Sequence, residues 1–361
     1  MSRAAARIRP EVRALSAYHV PATGDVVKLD AMENPYTWPD EDLRHEWAEA
    51  LAAVGVNRYP DPRAGAVVER LRAHTGLAAE QSLLLGNGSD ELIQLVTLAL
   101  ARPGATVLAP EPTFVMYRMI AAFCGLEFIG VPLDEDFRLD VAAMEAAIAE
   151  HDPAVVWLAW PNNPTGNLWP RADIHRIADR AGGLVVVDEA YQPFAQDTFI
   201  GELGERDNVL VLRTLSKLGL AGLRLGFLAG PADWLDEIDK LRLPYNVNAL
   251  TQAGATFALD RFDRLERQAA AIRGERDALA RRLAGLQGVT VYPSAANFIL
   301  LRMPSGRARP VFEALLGEDI LIKCLDGAHP ALADCLRVTV GTPSENALLA
   351  EALERHVNAV A

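Results

Sequence analysis

The sequence of 361 residues lacks the features that mark several large classes of protein. Its three cysteines stand far apart, with no CxxC pair and no histidine spacing suited to zinc, which argues against a disulfide scaffold and predicts no metal site. No apolar run approaches the roughly 18 residues of a membrane span. Basic residues number 35 against 48 acidic ones, and the formal charge of −13 argues against nucleic acid or an anionic membrane as a partner.

What is present points to a globular enzyme for small molecules. Half of the residues are hydrophobic, enough for a large core, and the length predicts two or three domains at roughly 150 residues each. Four arginines precede residue 14, but no apolar stretch of a secretory signal follows them, so a solvated arm is expected and a transit peptide is the alternative. The separated thiols favour a reducing cytoplasm.

The chain divides into three predicted parts. Prolines recur through residues 1–42 and break any regular element, which predicts an irregular N-terminal arm that wraps a partner surface. Residues 43–244 form the predicted large domain, and residues 245–361 form a smaller C-terminal domain.

In the large domain, short apolar strands alternate with amphipathic helices. The predicted strands are residues 106–109, 128–131, 155–160, 184–187, 209–212 and 223–229, and the helices are residues 67–75, 89–100, 141–150 and 172–181. This order predicts an α/β fold, with a mostly parallel sheet covered by helices on both faces. Ligands of such sheets bind beyond the carboxyl ends of the strands.

The C-terminal part predicts a smaller α+β domain. Its predicted helices are residues 265–286, 310–316 and 345–357, and its strands are residues 289–292, 298–302, 320–324 and 335–340.

A lysine follows one of the buried strands. Lys217 ends the stretch Arg-Thr-Leu-Ser-Lys, directly after the strand at residues 209–212. Desolvation and a neighbouring cation would favour its neutral, nucleophilic form. Ser216 and Arg224 could bind a phosphate beside it. A structural lysine in a loop is the alternative.

An acidic residue ends the neighbouring strand. Asp188, in Val-Val-Val-Asp-Glu-Ala-Tyr, could pair with a protonated ring nitrogen of a pyridine cofactor. Tyr191, three residues further on, could donate to a phenolate oxygen of that cofactor. The alternative is a magnesium-binding acid of a nucleotide enzyme, but no GxxxxGK[ST] motif accompanies it.

Two loops add possible ligand contacts. Asn163 lies in Trp-Pro-Asn-Asn-Pro-Thr-Gly, where two prolines predict a rigid turn that can aim an amide at a ligand. Glycines in Leu-Gly-Asn-Gly-Ser-Asp-Glu, residues 85–91, precede a helix whose N–H groups can close on a phosphate. A plain turn and an ordinary helix cap are the alternatives.

Together these motifs resemble, in order and spacing, the fold-type I enzymes that depend on pyridoxal 5′-phosphate. The resemblance covers nearly the whole chain. It implies that Lys217 carries the cofactor covalently and that Asp188 binds the pyridine nitrogen. Asn163 and Tyr191 would then contact the phenolate oxygen.

The same resemblance implies a place for the cofactor phosphate. It would lie among the backbone of Ser89 and Asp90, the hydroxyl of Ser216 and the guanidinium of Arg224. Phe114 matches the position of an aromatic that stacks on the ring, and a core phenylalanine is the alternative.

Other segments are similar to histidinol-phosphate aminotransferases. They are Leu-Asp-Ala-Met-Glu-Asn-Pro-Tyr at residues 29–36, Arg-Tyr-Pro-Asp at 58–61, and His-Pro at 329–330 followed by Cys-Leu-Arg-Val-Thr-Val-Gly-Thr at 335–342. The family implies transfer of an amino group between histidinol phosphate and 2-oxoglutarate, giving imidazole-acetol phosphate and glutamate, in histidine biosynthesis.

This resemblance also implies a homodimer with shared sites. The counterpart of Tyr59 reaches the cofactor phosphate of the other subunit, and the counterpart of Arg337 binds the substrate anion, a carboxylate or a phosphate. Tyr18 and Asn34 fall where the family lines its substrate pocket. A packing contact of the arm and an Asx turn are their alternatives.

The chain departs from the family at Lys323, where many relatives carry an arginine that helps to hold the substrate phosphate. Lysine keeps the charge but loses the planar fork. An aromatic or broad-specificity aminotransferase therefore stays open, as does a decarboxylase of phosphorylated amino acids. A non-catalytic sensor is disfavoured by the charge of −13, because a DNA-binding segment needs a basic face.

Overall fold

The computed structural model of the protein describes residues 2–15 and 26–358. Short strands form its framework. In chain order the strands are β1 (Val27–Lys28), β2 (Ser82–Gly86), β3 (Thr106–Glu111), β4 (Glu127–Pro132), β5 (Val155–Ala159), β6 (Leu184–Asp188), β7 (Val209–Thr214), β8 (Gly226–Gly230), β9 (Thr290–Val291), β10 (Phe298–Arg302), β11 (Ile320–Leu321), β12 (Lys323–Cys324) and β13 (Cys335–Thr339).

Helices connect most of these strands. They are α1 (Arg3–Arg7), α2 (Pro10–Arg13), α3 (Arg44–Ala52), α4 (Gly65–Thr75), α5 (Ser89–Ala99), α6 (Met116–Cys124), α7 (Val141–His151), α8 (Arg171–Arg180), α9 (Gln192–Ala195), α10 (Ala232–Asp239), α11 (Ala249–Leu259), α12 (Phe262–Leu283), α13 (Ala308–Gly317) and α14 (Pro343–Asn358). Throughout the described ranges, each helix is too short or too polar to span a bilayer.

A seven-stranded sheet in the order β2-β8-β7-β6-β5-β3-β4 forms the centre of the large domain. Strand β8 runs antiparallel to both of its neighbours, and the other strand pairs of this sheet are parallel. The predicted α/β fold with a mostly parallel sheet is confirmed. Because β5, β6 and β7 are neighbours and run the same way, their carboxyl ends meet at one edge.

Both faces of this sheet are buried. In β5, Val156 and Leu158 pack into one hydrophobic cluster, while Val155 and Trp157 pack into a second cluster on the other face. Successive side chains of a strand point to opposite faces, so a strand that is covered on both sides must be apolar throughout. This explains why the sequence shows unbroken apolar runs here.

The C-terminal part contains a four-stranded antiparallel sheet in the order β12-β13-β10-β9, covered by α13 and α14. Helix α12 joins the two parts. Its Leu265 and Ile272 belong to a cluster of the large sheet, and its Leu279 and Leu283 pack with the small sheet. The domain boundary at residue 244 stays a prediction.

Three expectations about elements are wrong. The arm is not irregular throughout: it forms α1, α2 and β1, and β1 pairs in parallel with β11 of the same chain. The single strand expected at residues 320–324 is divided, because β11 pairs with β1 whereas β12 pairs with β13. The sequence analysis does not predict the elements β2, α3, α6, α9, α10 and α11. Helix α11 packs against α3 and α4 and is largely buried, so its sequence lacks a clear polar face.

Candidate active site

Nine predicted site residues line one cavity at the carboxyl edge of the central sheet. They are Ser89, Asp90, Phe114, Asn163, Asp188, Tyr191, Ser216, Lys217 and Arg224. The end of β6 supplies Asp188, and the loops after β5 and β7 supply Asn163 and Lys217. The register of these strands sets Ala159 opposite Asp188 and Asp188 opposite Leu212. The parallel order of the strands therefore brings together side chains that lie far apart in sequence.

Lys217 follows β7 in an irregular turn, Ser216–Leu220, in which Gly219 has a φ of 118°. Its Nζ donates to the carbonyl of Ala31 at 3.2 Å and lies 5.8 Å from the ring centroid of Tyr191. Desolvation, and then the charge of Arg337, lower the pKa of Lys217 to about 8. A substantial fraction of the amine is therefore neutral and nucleophilic near physiological pH.

Asp188 is the last residue of β6 and is buried. Its Oδ2 accepts a hydrogen bond from the Tyr117 hydroxyl at 2.6 Å, and its Oδ1 accepts one from the backbone N–H of Ala190 at 3.0 Å. Desolvation raises the pKa of Asp188 to about 6, and the hydrogen bonds from Tyr117 and Ala190 oppose that rise. The carboxyl is thus ionised at neutral pH and suited to a cationic partner.

Tyr117 is a residue that the sequence analysis missed. It lies three positions after Phe114, in the first turn of α6, and is fully buried. Its ring stacks on Trp157 with centroids 5.0 Å apart, and Phe114 meets it edge-on. Phe114 precedes α6, so helical periodicity does not relate the two aromatic residues, and the partner of Tyr117, Asp188, lies 71 positions away.

A chain of hydrogen bonds runs from Arg337 along the wall of the cavity. Arg337 donates to Oδ1 of Asn163 at 2.5 Å, and Nδ2 of Asn163 donates to the Tyr191 hydroxyl at 3.1 Å. The Tyr191 hydroxyl contacts the sulfur of Met32 at 3.1 Å. Arg337 also donates to the carbonyl of Asp30 at 3.0 Å. The rigid amide predicted for Asn163 therefore links the predicted substrate arginine to the predicted cofactor tyrosine.

A cradle for an anion lies at the start of α5. The preceding residue, Gly88, has a φ of 83°, and no side chain caps the helix. Arg224 lies beside Gly88, with its guanidinium 3.5 Å from the Ser216 hydroxyl and 3.6 Å from the Asp90 carboxylate. Helix N–H groups, a hydroxyl and a guanidinium together form a donor set for a phosphate.

Lys323 lies beside Arg337 on the small sheet. The two residues are direct partners across the antiparallel pair β12 and β13. Directly opposed residues of such a pair project from the same face, with their Cβ atoms about 5 Å apart. Two positive charges therefore share one face of this sheet near the cavity.

Three other predicted residues are not among those that line the cavity, and one of them lies outside the described residues. Tyr59 is 80% exposed and stacks on Tyr245, away from the cavity of its own chain. Asn34 donates to the carbonyl of Leu218 and accepts from the backbone N–H of Tyr36, the geometry of an Asx turn. Tyr18 lies outside the described residues. The roles of Tyr59, Asn34 and Tyr18 stay predictions.

The comparisons with known proteins agree with the geometry of the site. The family model of class I and II aminotransferases matches residues 24–353. The fold and the site thus define an aminotransferase of class I and II.

Similar proteins show to which family of this class the chain belongs. The chain is 56% identical to histidinol-phosphate aminotransferase 2 of Burkholderia pseudomallei (strain 1710b), over 96% of this chain and 97% of that protein. It is 54% identical to the Nitrosococcus oceani histidinol-phosphate aminotransferase 2, over 98% of each chain. The solved histidinol-phosphate aminotransferase of Sinorhizobium meliloti, in complex with pyridoxal-5′-phosphate, superposes with a TM-score of 0.86 at 26% identity, over 98% of each chain. The chain belongs to the histidinol-phosphate aminotransferase family.

The cofactor of this protein is pyridoxal 5′-phosphate, and the cavity fits it. The uncapped start of α5 and the adjacent Arg224 suit the phosphate, and the buried carboxylate of Asp188 suits a protonated ring nitrogen. Lys217, with its lowered pKa, suits covalent attachment to the aldehyde carbon.

Proposed function

We propose that the protein transfers an amino group between L-histidinol phosphate and 2-oxoglutarate, yielding imidazole-acetol phosphate and L-glutamate, as a step of histidine biosynthesis. The observation that carries the proposal is the position of the buried guanidinium of Arg337. It donates to Asn163 in the cavity wall and to the carbonyl of Asp30, and the carbonyl of the next residue, Ala31, accepts from Lys217. An anionic substrate held by Arg337 therefore has its reacting carbon near a nucleophilic amine.

Arg337 has to accept two different anions in the two half-reactions. Glutamate presents a carboxylate and histidinol phosphate presents a phosphate monoester, and a planar guanidinium can bind either through two parallel hydrogen bonds. The neighbouring Lys323 adds a second positive charge on the same face, which favours the more highly charged phosphate. This pair supports a substrate with a phosphate over one with only a carboxylate.

The remaining site residues bind the cofactor and move a proton. We assign the cofactor phosphate to the start of α5, Ser216 and Arg224, and the ring nitrogen to Asp188. Pyridoxal 5′-phosphate, when bound, supplies an electron sink for the negative charge that develops on the substrate carbon. Lys217 can release and regain a proton near neutral pH, because its pKa is about 8, and we assign it the transfer of the substrate proton.

The proposal includes a homodimer in the cytoplasm. Tyr59, Tyr245 and Leu243 are large, exposed apolar or aromatic side chains, and such exposed side chains are typical of a surface that another subunit covers. The three cysteines are free thiols, which supports a reducing compartment.

Single-turnover spectroscopy tests the substrate. The protein loaded with pyridoxal 5′-phosphate is mixed separately with histidinol phosphate, glutamate, phenylalanine and threonine O-3-phosphate, and the cofactor absorbance and the products are followed. We expect histidinol phosphate and glutamate to convert the cofactor to its amino form, with imidazole-acetol phosphate and 2-oxoglutarate as products.

Two results would contradict the proposal. Faster conversion by phenylalanine than by histidinol phosphate would indicate an aromatic aminotransferase. Release of carbon dioxide from threonine O-3-phosphate, without conversion of the cofactor, would indicate a decarboxylase.

A further inference from the structure

The buried contact between Tyr117 and Asp188 is a polar interaction of the cavity wall that the proposed function leaves without a role. The Tyr117 hydroxyl lies 2.6 Å from Oδ2 of Asp188, a distance typical of a strong hydrogen bond to a carboxylate. Tyr117 comes from α6 and Asp188 from β6, 71 positions apart. The contact is therefore made by the tertiary structure and is not a by-product of a local turn.

Packing holds the Tyr117 hydroxyl in this position. Its ring is fully buried, lies nearly parallel to the indole of Trp157 at 13°, and is flanked edge-on by Phe114. A side chain enclosed in this way has little freedom to turn its hydroxyl towards another acceptor. Burial and the negative charge of Asp188 both raise the pKa of Tyr117 well above its usual value, so the phenol stays protonated and donates.

The other groups around Asp188 make this donor important. Asp90 on α5 and Glu189, the next residue in the chain, carry negative charge. Like desolvation, these charges favour the protonated form of the Asp188 carboxyl. Lys217 and Arg224 line the same cavity, and Ala190 donates its backbone N–H to the other carboxylate oxygen. Tyr117 is the side-chain donor that directly opposes protonation of the Asp188 carboxyl among the described residues.

We propose that Tyr117 is a positioning residue that keeps the Asp188 carboxylate ionised, so that the proton shared with the cofactor stays on the ring nitrogen. This inference rests on the proposed pairing of Asp188 with that nitrogen. A proton between a buried carboxylate and a pyridine nitrogen moves towards the more basic partner. A hydrogen bond donated to the carboxylate makes it less basic and so leaves the proton, and the positive charge, on the ring.

The test uses the variant Tyr117→Phe in the full-length enzyme loaded with ¹⁵N-labelled pyridoxal 5′-phosphate. Phenylalanine keeps the ring that stacks on Trp157 and removes only the hydroxyl. We expect the ¹⁵N resonance of the ring nitrogen at neutral pH to move towards its unprotonated position, and the ratio of the two proton locations to change by about tenfold, the effect of a hydrogen bond to a charged group. The kcat should fall by about tenfold, while KM for each substrate stays within about twofold.

We expect a second substitution to move the ¹⁵N resonance of the ring nitrogen in the opposite direction. Site-specific replacement of Tyr117 by 3-fluorotyrosine retains the shape and makes the phenol a stronger donor, so the resonance should move further towards the protonated position. This variant decides the question even if Tyr117→Phe folds poorly. As a matched control, Tyr292→Phe removes a tyrosine hydroxyl outside the cavity and should leave the resonance unchanged.

The Asp188→Asn background separates this inference from the function on which it rests. If Tyr117 acts through Asp188, then adding Tyr117→Phe to Asp188→Asn should cause no further loss of single-turnover rate. An equal loss in both backgrounds, or an unchanged ¹⁵N resonance in folded Tyr117→Phe, would overturn the inference while leaving the proposed pairing intact. Near-normal rates in Asp188→Asn would instead overturn the pairing itself.

Discussion

At the scale of single residues, burial moves two pKa values of the site towards neutrality from opposite sides. It lowers that of Lys217 to about 8 and raises that of Asp188 to about 6. Between these values the amine is still largely protonated while the carboxyl is already ionised. Because desolvation is the largest cause for both, the enclosed position of these groups after β7 and β6 determines their chemistry more than any single partner does.

The reactivity of Lys217 should follow its lowered pKa. In the cofactor-free protein, covalent capture of pyridoxal 5′-phosphate at Lys217 should accelerate with rising pH and level off above about 8, because only the neutral amine attacks. Borohydride reduction followed by peptide mass spectrometry measures the rate of this capture at each pH. A midpoint near pH 10 for the capture of the cofactor at Lys217 would contradict the expectation.

The variant Lys217→Ala should still bind the cofactor but should lose transamination.

Arg337 should contribute to both half-reactions, because one guanidinium receives both anions. We expect Arg337→Ala to lower kcat/KM for glutamate and for histidinol phosphate roughly 30- to 5000-fold. This corresponds to a loss of about 2–5 kcal/mol of binding free energy. Arg337→Lys should recover part of this loss but not the bidentate geometry. The exposed Arg138 provides a control variant, Arg138→Ala. Normal turnover of histidinol phosphate with loss of glutamate turnover would place the phosphate at Lys323 or Asn34 instead.

At the scale of elements, the close approach of β8 to the start of α5 forms the phosphate cradle. A Cβ atom at Gly226 would lie 2.8 Å from the backbone nitrogen of Ser89 and 2.9 Å from the carbonyl carbon of Gly88. Both neighbours are backbone atoms that cannot rotate away. The strand can therefore lie against the helix terminus only because residue 226 has no side chain.

The substitution Gly226→Ala should push β8 away from α5 and distort the cradle. Overpacking of this kind costs about 1–3 kcal/mol, so we expect the Kd for pyridoxal 5′-phosphate to rise about tenfold and the melting temperature to fall. Fluorescence titration of the cofactor-free protein measures the Kd. Gly222→Ala is the control, since nothing lies within 4 Å of its added Cβ. Equal effects of the two variants would show that the approach of β8 does not shape the site.

At the scale of the whole molecule, the proposed homodimer would share each active site between two subunits, with Tyr59 of one subunit reaching the cofactor phosphate of the other. The ring of Tyr59 lies outside the cavity of its own chain and stacks on Tyr245. In a two-fold dimer, a residue exposed on one protomer can complete the site of the other. The site would then depend on assembly as well as on folding.

Mixing inactive variants tests this arrangement. Heterodimers of Lys217→Ala and Tyr59→Ala place both lesions in one site and leave the other intact, so random exchange should restore about a quarter of wild-type activity. Mixing Lys217→Ala with Asp188→Asn is the matched control and should restore nothing, because every site keeps one lesion. Absence of recovery in the first mixture, with subunit exchange shown by native mass spectrometry, would count against a shared site.

Most strands of the central sheet, and the residues at its carboxyl edge, follow from the sequence alone. Apolar runs such as Val155–Ala159 report burial on both faces, and a polar residue that ends such a run, like Asp188, can only lie at the edge of the sheet. These signals are local, so one segment carries all the information. The tertiary structure alone decided which distant groups meet: Tyr117 with Asp188, Arg337 with Asn163, and β1 with β11. Such contacts depend on how complete elements pack, because no local periodicity encodes which distant residue a side chain will contact.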